Sequence, residues 1–270
     1  MHPSPAALGL DSPYPLGGEQ IARYQRDGYI KLAGVLSPET LARYGAEITA
    51  QVQRRSGWAK PLAQRDTYGK AFLQVANLWQ ESAIVETFVR SRRLAGIASA
   101  LMGTAGVRLY HDQALYKEAG GGHTPWHVDQ HYWPLASDRC VTAWIPLQAV
   151  PVEMGPLAFA VGSQHLLTGR DLSISDESEA TMQRTLRDFP VDEAPFALGE
   201  VSFHAGWTFH RAGPNRTAQP RAVMTIIYMD RDMRVAAAPT RAQEGDLAIW
   251  LPGARVGELA ATPLNPILYG

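Results

Sequence analysis

The chain has 270 residues, 46% hydrophobic and 19% charged, a balance that suits one globular domain with a full core of its own. Lys and Arg number 25 against 26 Asp and Glu, so no basic excess exists to hold a phosphate backbone or an anionic lipid surface. Nucleic acid and membranes are therefore not expected partners. The single cysteine, Cys140, excludes an internal disulfide and the cysteine-rich zinc and iron–sulfur motifs, and a small core residue in a reducing, cytoplasmic setting is the expectation.

Met1 to Gly18 carry four prolines and three glycines and read as a flexible tail, without the basic start or apolar run of a signal peptide. No stretch of about eighteen apolar residues offers a transmembrane helix. Residues 19–270 are expected to form a single domain, opening with a helical layer over about 19–103. Ser37-Pro38-Glu39 supplies an N-cap and a proline at the first helical position, with Leu36 and Leu41 placed as a hydrophobic staple. Leu41, Tyr44, Ile48 and Val52 recur at helical spacing, and Gly57 is placed to end that helix. Leu94, Ile97, Ala98 and Leu101 predict a second helix from Arg92 to Met102, closed by Gly103.

From Val107 the period changes to two. Val107, Leu109, His111, Gln113 and Leu115 alternate with their neighbours, as do Val141, Ala143, Ile145 and Leu147. Further strands are predicted at Leu157–Val161, Val201–Phe203 and Arg221–Tyr228, separated by glycine- and proline-rich turns. Many short strands over about 104–230, behind a helical layer, predict a mainly β sandwich or barrel. The polar stretch from Thr168 to Pro195 is long for such a core and reads as an inserted lid.

The densest chemistry lies in His123-Thr124-Pro125-Trp126-His127-Val128-Asp129-Gln130-His131-Tyr132-Trp133. If this segment is a strand, His127 and Asp129 share a face. A neutral imidazole and a carboxylate are two-thirds of the facial triad that binds iron(II) and leaves three positions open. Alone, His-x-Asp is weak, because a hydrogen-bonded surface pair has the same pattern. A second segment, Phe203-His204-Ala205-Gly206-Trp207-Thr208-Phe209-His210-Arg211-Ala212-Gly213-Pro214-Asn215, ends an aromatic strand on His210, the kind of third ligand the pair lacks. Arg221 opens the next strand, placed for a hairpin that would bring its planar donors near the metal, where they suit bidentate capture of a carboxylate. Arg221, Val223, Thr225 and Ile227 would share one face of that strand, and Ala222, Met224, Ile226 and Tyr228 the other.

HTPWHVDQHYW, VTAW, GPLAFAVGSQH and FHRAGPNRTAQPR, with Gln25-Arg26-Asp27-Gly28-Tyr29-Ile30 before them, resemble the phytanoyl-CoA hydroxylase family of iron(II)/2-oxoglutarate oxygenases, over roughly Ile21 to Met229. The resemblance implies a double-stranded β-helix (jelly-roll, cupin-like) fold, with His127, Asp129 and His210 as iron ligands and Arg221 gripping 2-oxoglutarate. It also implies that Trp144, Gln113 and Gln74 line the co-substrate, and that dioxygen is the oxidant. Two positions depart from the family pattern: Val128 stands where glutamine is usual, and Ala212 where a small hydroxyl residue is usual. His131, Tyr132, Trp133 and Trp207 are candidate substrate contacts, although core packing is the default role for each aromatic. His123 and His204 read as ordinary polar neighbours.

The implied activity is oxidation, most simply hydroxylation, of a small metabolite's C–H bond, with succinate and carbon dioxide released. A halogenase on the same scaffold would lack the carboxylate that Asp129 supplies. A non-redox cupin-type isomerase or binding protein would not need Arg221, and a degenerate relative would not keep all four residues.

Overall fold

Helical and period-two segments segregate into layers. The computed structural model describes residues 8–56 and 60–270. Helix α1 (Gly18–Asp27), strand β1 (Tyr29–Leu32), α2 (Pro38–Arg55), α3 (Thr67–Ala71), β2 (Leu73–Ala76), α4 (Ala83–Val89) and α5 (Arg92–Met102) come first. Strands β3 (Val107–Lys117), β4 (Thr124–His127), β5 (Cys140–Pro146) and β6 (Leu157–Ala160) follow. Helix α6 (Asp176–Thr185) and β7 (Val191–Asp192) precede β8 (Val201–Ala205), β9 (His210–Ala212), β10 (Arg221–Asp230), α7 (Arg241–Trp250) and β11 (Ile267–Tyr269).

The helix signals operate as read. Ser37 Oγ accepts the Thr40 amide at 3.1 Å with Pro38 in the first turn, and Leu36 and Leu41 are buried together. Gly103 closes α5 in the left-handed region at φ 66°, where a side chain would be strained. Gly57 lies outside the described residues; α2 ends at Arg55 with Ser56 as its cap. Part of the segment read as a flexible tail is packed. Leu10 is fully buried, and its carbonyl accepts from Ser91 Oγ and the Arg93 amide. Leu8, Tyr14 and Leu16 carry this stretch onto the helical layer. No helix among the described residues is long and apolar enough to cross a membrane.

Two antiparallel sheets face each other as an open jelly roll rather than a closed barrel. The larger runs β1-β8-β5-β10-β3-β11, with β2 pairing the same edge of the molecule through β3. The smaller runs β4-β9-β6-β7. Strands β1 and β2 lie within the region read as helical. All ten residues of β10 are buried, because it sits between β3 and β5 with helices on one face and the second sheet on the other. Ala222, Met224, Ile226 and Tyr228 join Leu41, Ile48, Phe88, Leu94 and Leu101 in the main core. Arg221, Thr225 and their alternates face the smaller sheet, as the period of two requires.

One strand breaks its expected alternation. The β3–β10 register pairs Ile227 with His111 and Tyr228 with Leu109, which leaves Tyr110 as an extra residue, a β-bulge. Before the bulge Val107 and Leu109 face the helical layer; after it His111, Gln113 and Leu115 face the opposite way, into a cavity. A bulge reverses facing and re-aims side chains. Here it sends Tyr110 and His111 towards the same end of the cavity, with ring centroids 5.1 Å apart.

Candidate active site

A cavity of about 500 Å³ opens between the sheets. His127 comes from the end of β4. Asp129 belongs to a short turn just past that strand, so the two converge through the turn and not by sharing a strand face. His210 begins β9, directly opposite His127 in the pairing. One donor atom from each of these three residues lies within 4.8 Å of the others. His127 Nε2 is 3.8 Å, and His210 Nε2 3.5 Å, from Asp129 Oδ1.

The tautomers follow from the partners. His127 Nδ1 donates to the Pro125 carbonyl at 2.7 Å, and His210 Nδ1 to the Thr208 carbonyl at 3.0 Å. Each imidazole therefore presents a bare Nε2 lone pair to the same point, the orientation that metal-ligating histidines adopt. Burial lowers both imidazoles to about 4, with His210 adding to the effect at His127, so both are neutral at ordinary pH. For Asp129, burial would raise the carboxyl, but His210, His204 and His127 together hold it below the usual carboxylate range. Its Oδ2 accepts from Thr142 Oγ1 at 2.8 Å and His204 Nε2–H at 3.1 Å, leaving Oδ1 for the cluster. Two neutral nitrogens and one anionic oxygen on one side of a cavity fit a divalent iron with open positions facing the space.

The sequence gives Thr142 no role and His204 only that of a polar neighbour. The signal existed in the alternation: Thr142 shares a strand face with Trp144, and Ser202 and His204 alternate with Val201 and Phe203, which point into the main core.

The far end of the cavity is cationic. Arg221 is fully buried; one of its terminal nitrogens donates to the Gly155 carbonyl, and its guanidinium lies 5.3 Å from the Trp144 ring centre. Its Nε has no partner among the described residues, and burial lowers the group to about 9. Such an orphaned buried donor beside open space fits an incoming anion. Gly155 sits at φ +72°, and a Cβ there would fall 2.2 Å from the Gly213 carbonyl oxygen, so the turn that presents its own carbonyl to Arg221 needs glycine. Lys117, also buried, donates to the Gly122 carbonyl and lies 3.4 Å from Thr124 Oγ1. Desolvation and then Arg221 lower its ammonium to about 6.

Arg221 and His210 are not joined by a hairpin. They stand in opposite sheets, and the link between them is fixed by Asn215, whose side-chain amide donates to the Lys117, Glu118 and Gln219 carbonyls. Both nonetheless line the cavity, with Trp144, Gln113 and Gln74, the last two hydrogen-bonded to each other. Val128 packs away from it against Trp126, Phe209 and Met182, so that departure removes nothing from the cavity. Ala212 does line it, and its cross-strand neighbour Thr124 puts a hydroxyl on the same wall.

Of the expected substrate contacts, Tyr132 and Trp133 line the cavity. His131 stands behind Tyr132, edge-on at 4.8 Å, with Nε2 3.4 Å from Ser173 Oγ. Trp207 is elsewhere, under the Arg170 guanidinium at 4.4 Å. His123 approaches Asp176 at the surface.

A jelly roll holding a two-histidine, one-carboxylate cluster opposite a buried arginine is the architecture of the iron- and 2-oxoglutarate-dependent dioxygenases. The chain matches the family Phytanoyl-CoA dioxygenase (PhyH) over residues 24–223. It therefore belongs to that family and is a non-haem iron(II)/2-oxoglutarate-dependent dioxygenase. It is 24% identical over 247 residues to an ectoine dioxygenase of Stutzerimonas stutzeri, covering 83% of this chain and 80% of the relative. Among solved structures, the non-haem α-ketoglutarate-dependent carbocyclase SnoK from nogalamycin biosynthesis is 26% identical, with a TM-score of 0.78 over 95% of this chain and 99% of its own. The epimerase SnoN, solved in complex with Fe3+, α-ketoglutarate and nogalamycin RO, is 28% identical, with a TM-score of 0.74 over 98% and 100%.

Proposed function

We propose that this chain oxidises a C–H bond of a small-molecule metabolite, with His127, Asp129 and His210 holding iron(II) and Arg221 receiving the distal carboxylate of 2-oxoglutarate. The observation that carries the reading is the coexistence, in one cavity, of the neutral-nitrogen and carboxylate cluster with the orphaned guanidinium nitrogen of Arg221. A metal-binding cupin without redox chemistry would have no use for that second anion slot. Bound iron(II) and 2-oxoglutarate supply the oxidising power from dioxygen, with succinate and carbon dioxide as the other products. The chain's part is positioning. Backbone carbonyls at Pro125 and Thr208 fix the two imidazoles, Thr142 and His204 fix the carboxylate, and Trp144 forms a flat wall beside Arg221. Purified metal-free protein given 2-oxoglutarate and dioxygen should release succinate only after iron(II) is added, and a chelator should stop it. Succinate release that persists without metal would sink the reading.

We also propose that residues 168–195 act as a lid. Ser173 and Ile174 line the cavity, the Ile174 amide donates to Tyr132 Oη at 3.2 Å, and Glu179 accepts the Trp126 amide at 2.6 Å, tying α6 to the strand that carries His127. Met182 and Leu186 anchor the helix on Trp126 and Phe209. Hydrogen exchange with nickel(II) in place of iron should show residues 168–195 becoming more protected when 2-oxoglutarate is added. Equal exchange in both states would reduce the segment to a static wall.

A further inference from the structure

We infer that the end of the cavity remote from Arg221 is a receptor for an ammonium group on the substrate, with Asp246 as its counter-ion. This rests on the iron and 2-oxoglutarate reading above, which fills the other end. Asp246 lies on α7, beyond the residues that match the family, and faces the same cavity as His111, Tyr132, Trp133 and Trp250. Its carboxylate is 3.4 Å from Tyr110 Oη. No Lys, Arg or His among the described residues forms an ion pair with it, although Asp27, Glu47, Glu86 and Asp230 all have such partners.

Aromatic rings surround this carboxylate. His111 stacks on Trp250 with centroids 4.3 Å apart, and Trp133 stands edge-on to Tyr110 at 5.5 Å. Tyr132 lies close enough that Asp246, after burial and Asp129, helps to raise its phenol. Aromatic rings around a carboxylate that has hydrogen bonds from Tyr110 and Trp250 but no cationic partner are the arrangement that takes a substituted ammonium, whose methyl groups meet the rings while its charge meets the acid. A neutral or anionic group at this place would bring the buried acid no counter-charge.

Charge accounting for the loaded site agrees. Iron(II) and Arg221 balance Asp129 and the dianion of 2-oxoglutarate. Lys117 is turned to Gly122 and Thr124 and lowered by burial. Glu179, within the lid, is approached by Arg211. Asp246 is left as the acid that faces the cavity without a cationic partner. Burial raises it to about 7 against the pull of Trp250 and Tyr110, as expected of an acid waiting for a cation.

The test uses choline as the probe, against its neutral isostere 3,3-dimethylbutan-1-ol and the anion 3,3-dimethylbutanoate. Binding is followed by tryptophan fluorescence and calorimetry on full-length protein loaded with nickel(II) and 2-oxoglutarate. Binding of 2-oxoglutarate itself is titrated first, so that a failure of the parent reading appears there and not in the probe arms. Choline should bind about tenfold more tightly than the alcohol, the scale of a desolvated cation–aromatic contact with a counter-ion, and the anion more weakly than either. Asp246→Asn, which keeps the side-chain volume, should bring choline and the alcohol to parity; Asp246→Ala should do the same if the amide perturbs folding. The inference is overturned if the alcohol or the anion matches choline in the wild type, if folded Asp246 variants keep the preference, or if choline does not bind at all.

Discussion

Arg221→Ala should weaken 2-oxoglutarate binding by about thirtyfold or more while iron(II) affinity changes little. Truncating one side of a buried charge-assisted pair typically costs about 2–5 kcal/mol, and about 1.4 kcal/mol is tenfold in affinity. Arg221 meets the conditions for that range. It is fully buried, its Nε has no partner among the described residues, and the hydrogen bond from its terminal nitrogen goes to a neutral carbonyl, that of Gly155. The ligand supplies what the folded protein does not. Arg221→Lys should recover part of the affinity only, because an ammonium lacks the planar fork and would sit beside a second buried amine, Lys117. Calorimetric titration of the nickel(II)-loaded variants measures both effects. An unchanged dissociation constant in Arg221→Ala would move the anion slot elsewhere. Arg211 could not take it, since that side chain is held by Glu193 at 3.3 Å and lies over Trp126; Lys117 would be the residue to test.

What could be read from the sequence depended on how local the cause was. Capping at Ser37 and Gly103, the helical spacing along α2 and α5, and the alternation along β10 are written within a few residues each, and all appear as read. The cluster of His127, Asp129 and His210 was legible because the three sit in compact motifs. Their route to the site was less so. Asp129 enters through a turn and not a shared strand face, and Arg221 reaches the cavity from the opposite sheet and not across a hairpin. Those are decisions of sheet topology, which no short window encodes. The bulge at Tyr110 is a third case: a strictly alternating pattern concealed an inserted residue, and with it the facing of His111. Asp246 lay beyond any motif, on a helix whose residues are exposed or only partly buried. Only the three-dimensional placement of α7 over the aromatic end of the cavity gives that carboxylate a role.

Removal of the metal ligands should produce a graded series that separates coordination from support. Asp129→Ala should abolish succinate release and lower iron(II) affinity by more than the tenfold to hundredfold range typical of losing an outer hydrogen-bond partner of a metal site. It removes the one anionic donor and leaves two imidazoles, already crowded with ring centroids 4.2 Å apart. The variant should still fold. Asp129 belongs to none of the apolar clusters, and the groups stranded by its loss are the Thr142 hydroxyl and His204 Nε2–H, at about 1–3 kcal/mol for each buried donor left unmet. Thr142→Val keeps all three ligands and removes one hydrogen bond to the distal oxygen, so its iron(II) affinity should fall about tenfold to a hundredfold, with activity recovered at high iron. His204→Phe should behave like Thr142→Val, since its ring packs 4.4 Å from His210 and 5.5 Å from Phe159 and can be replaced by another flat ring. Equilibrium competition against a coloured chelator ranks the affinities, and thermal unfolding of each metal-free variant confirms the fold. If Thr142→Val loses as much affinity as Asp129→Ala, the carboxylate acts only when pinned. If Asp129→Ala keeps both iron and turnover, the third donor is another group, and His204, 3.1 Å from the same carboxylate, is the residue on hand to replace it.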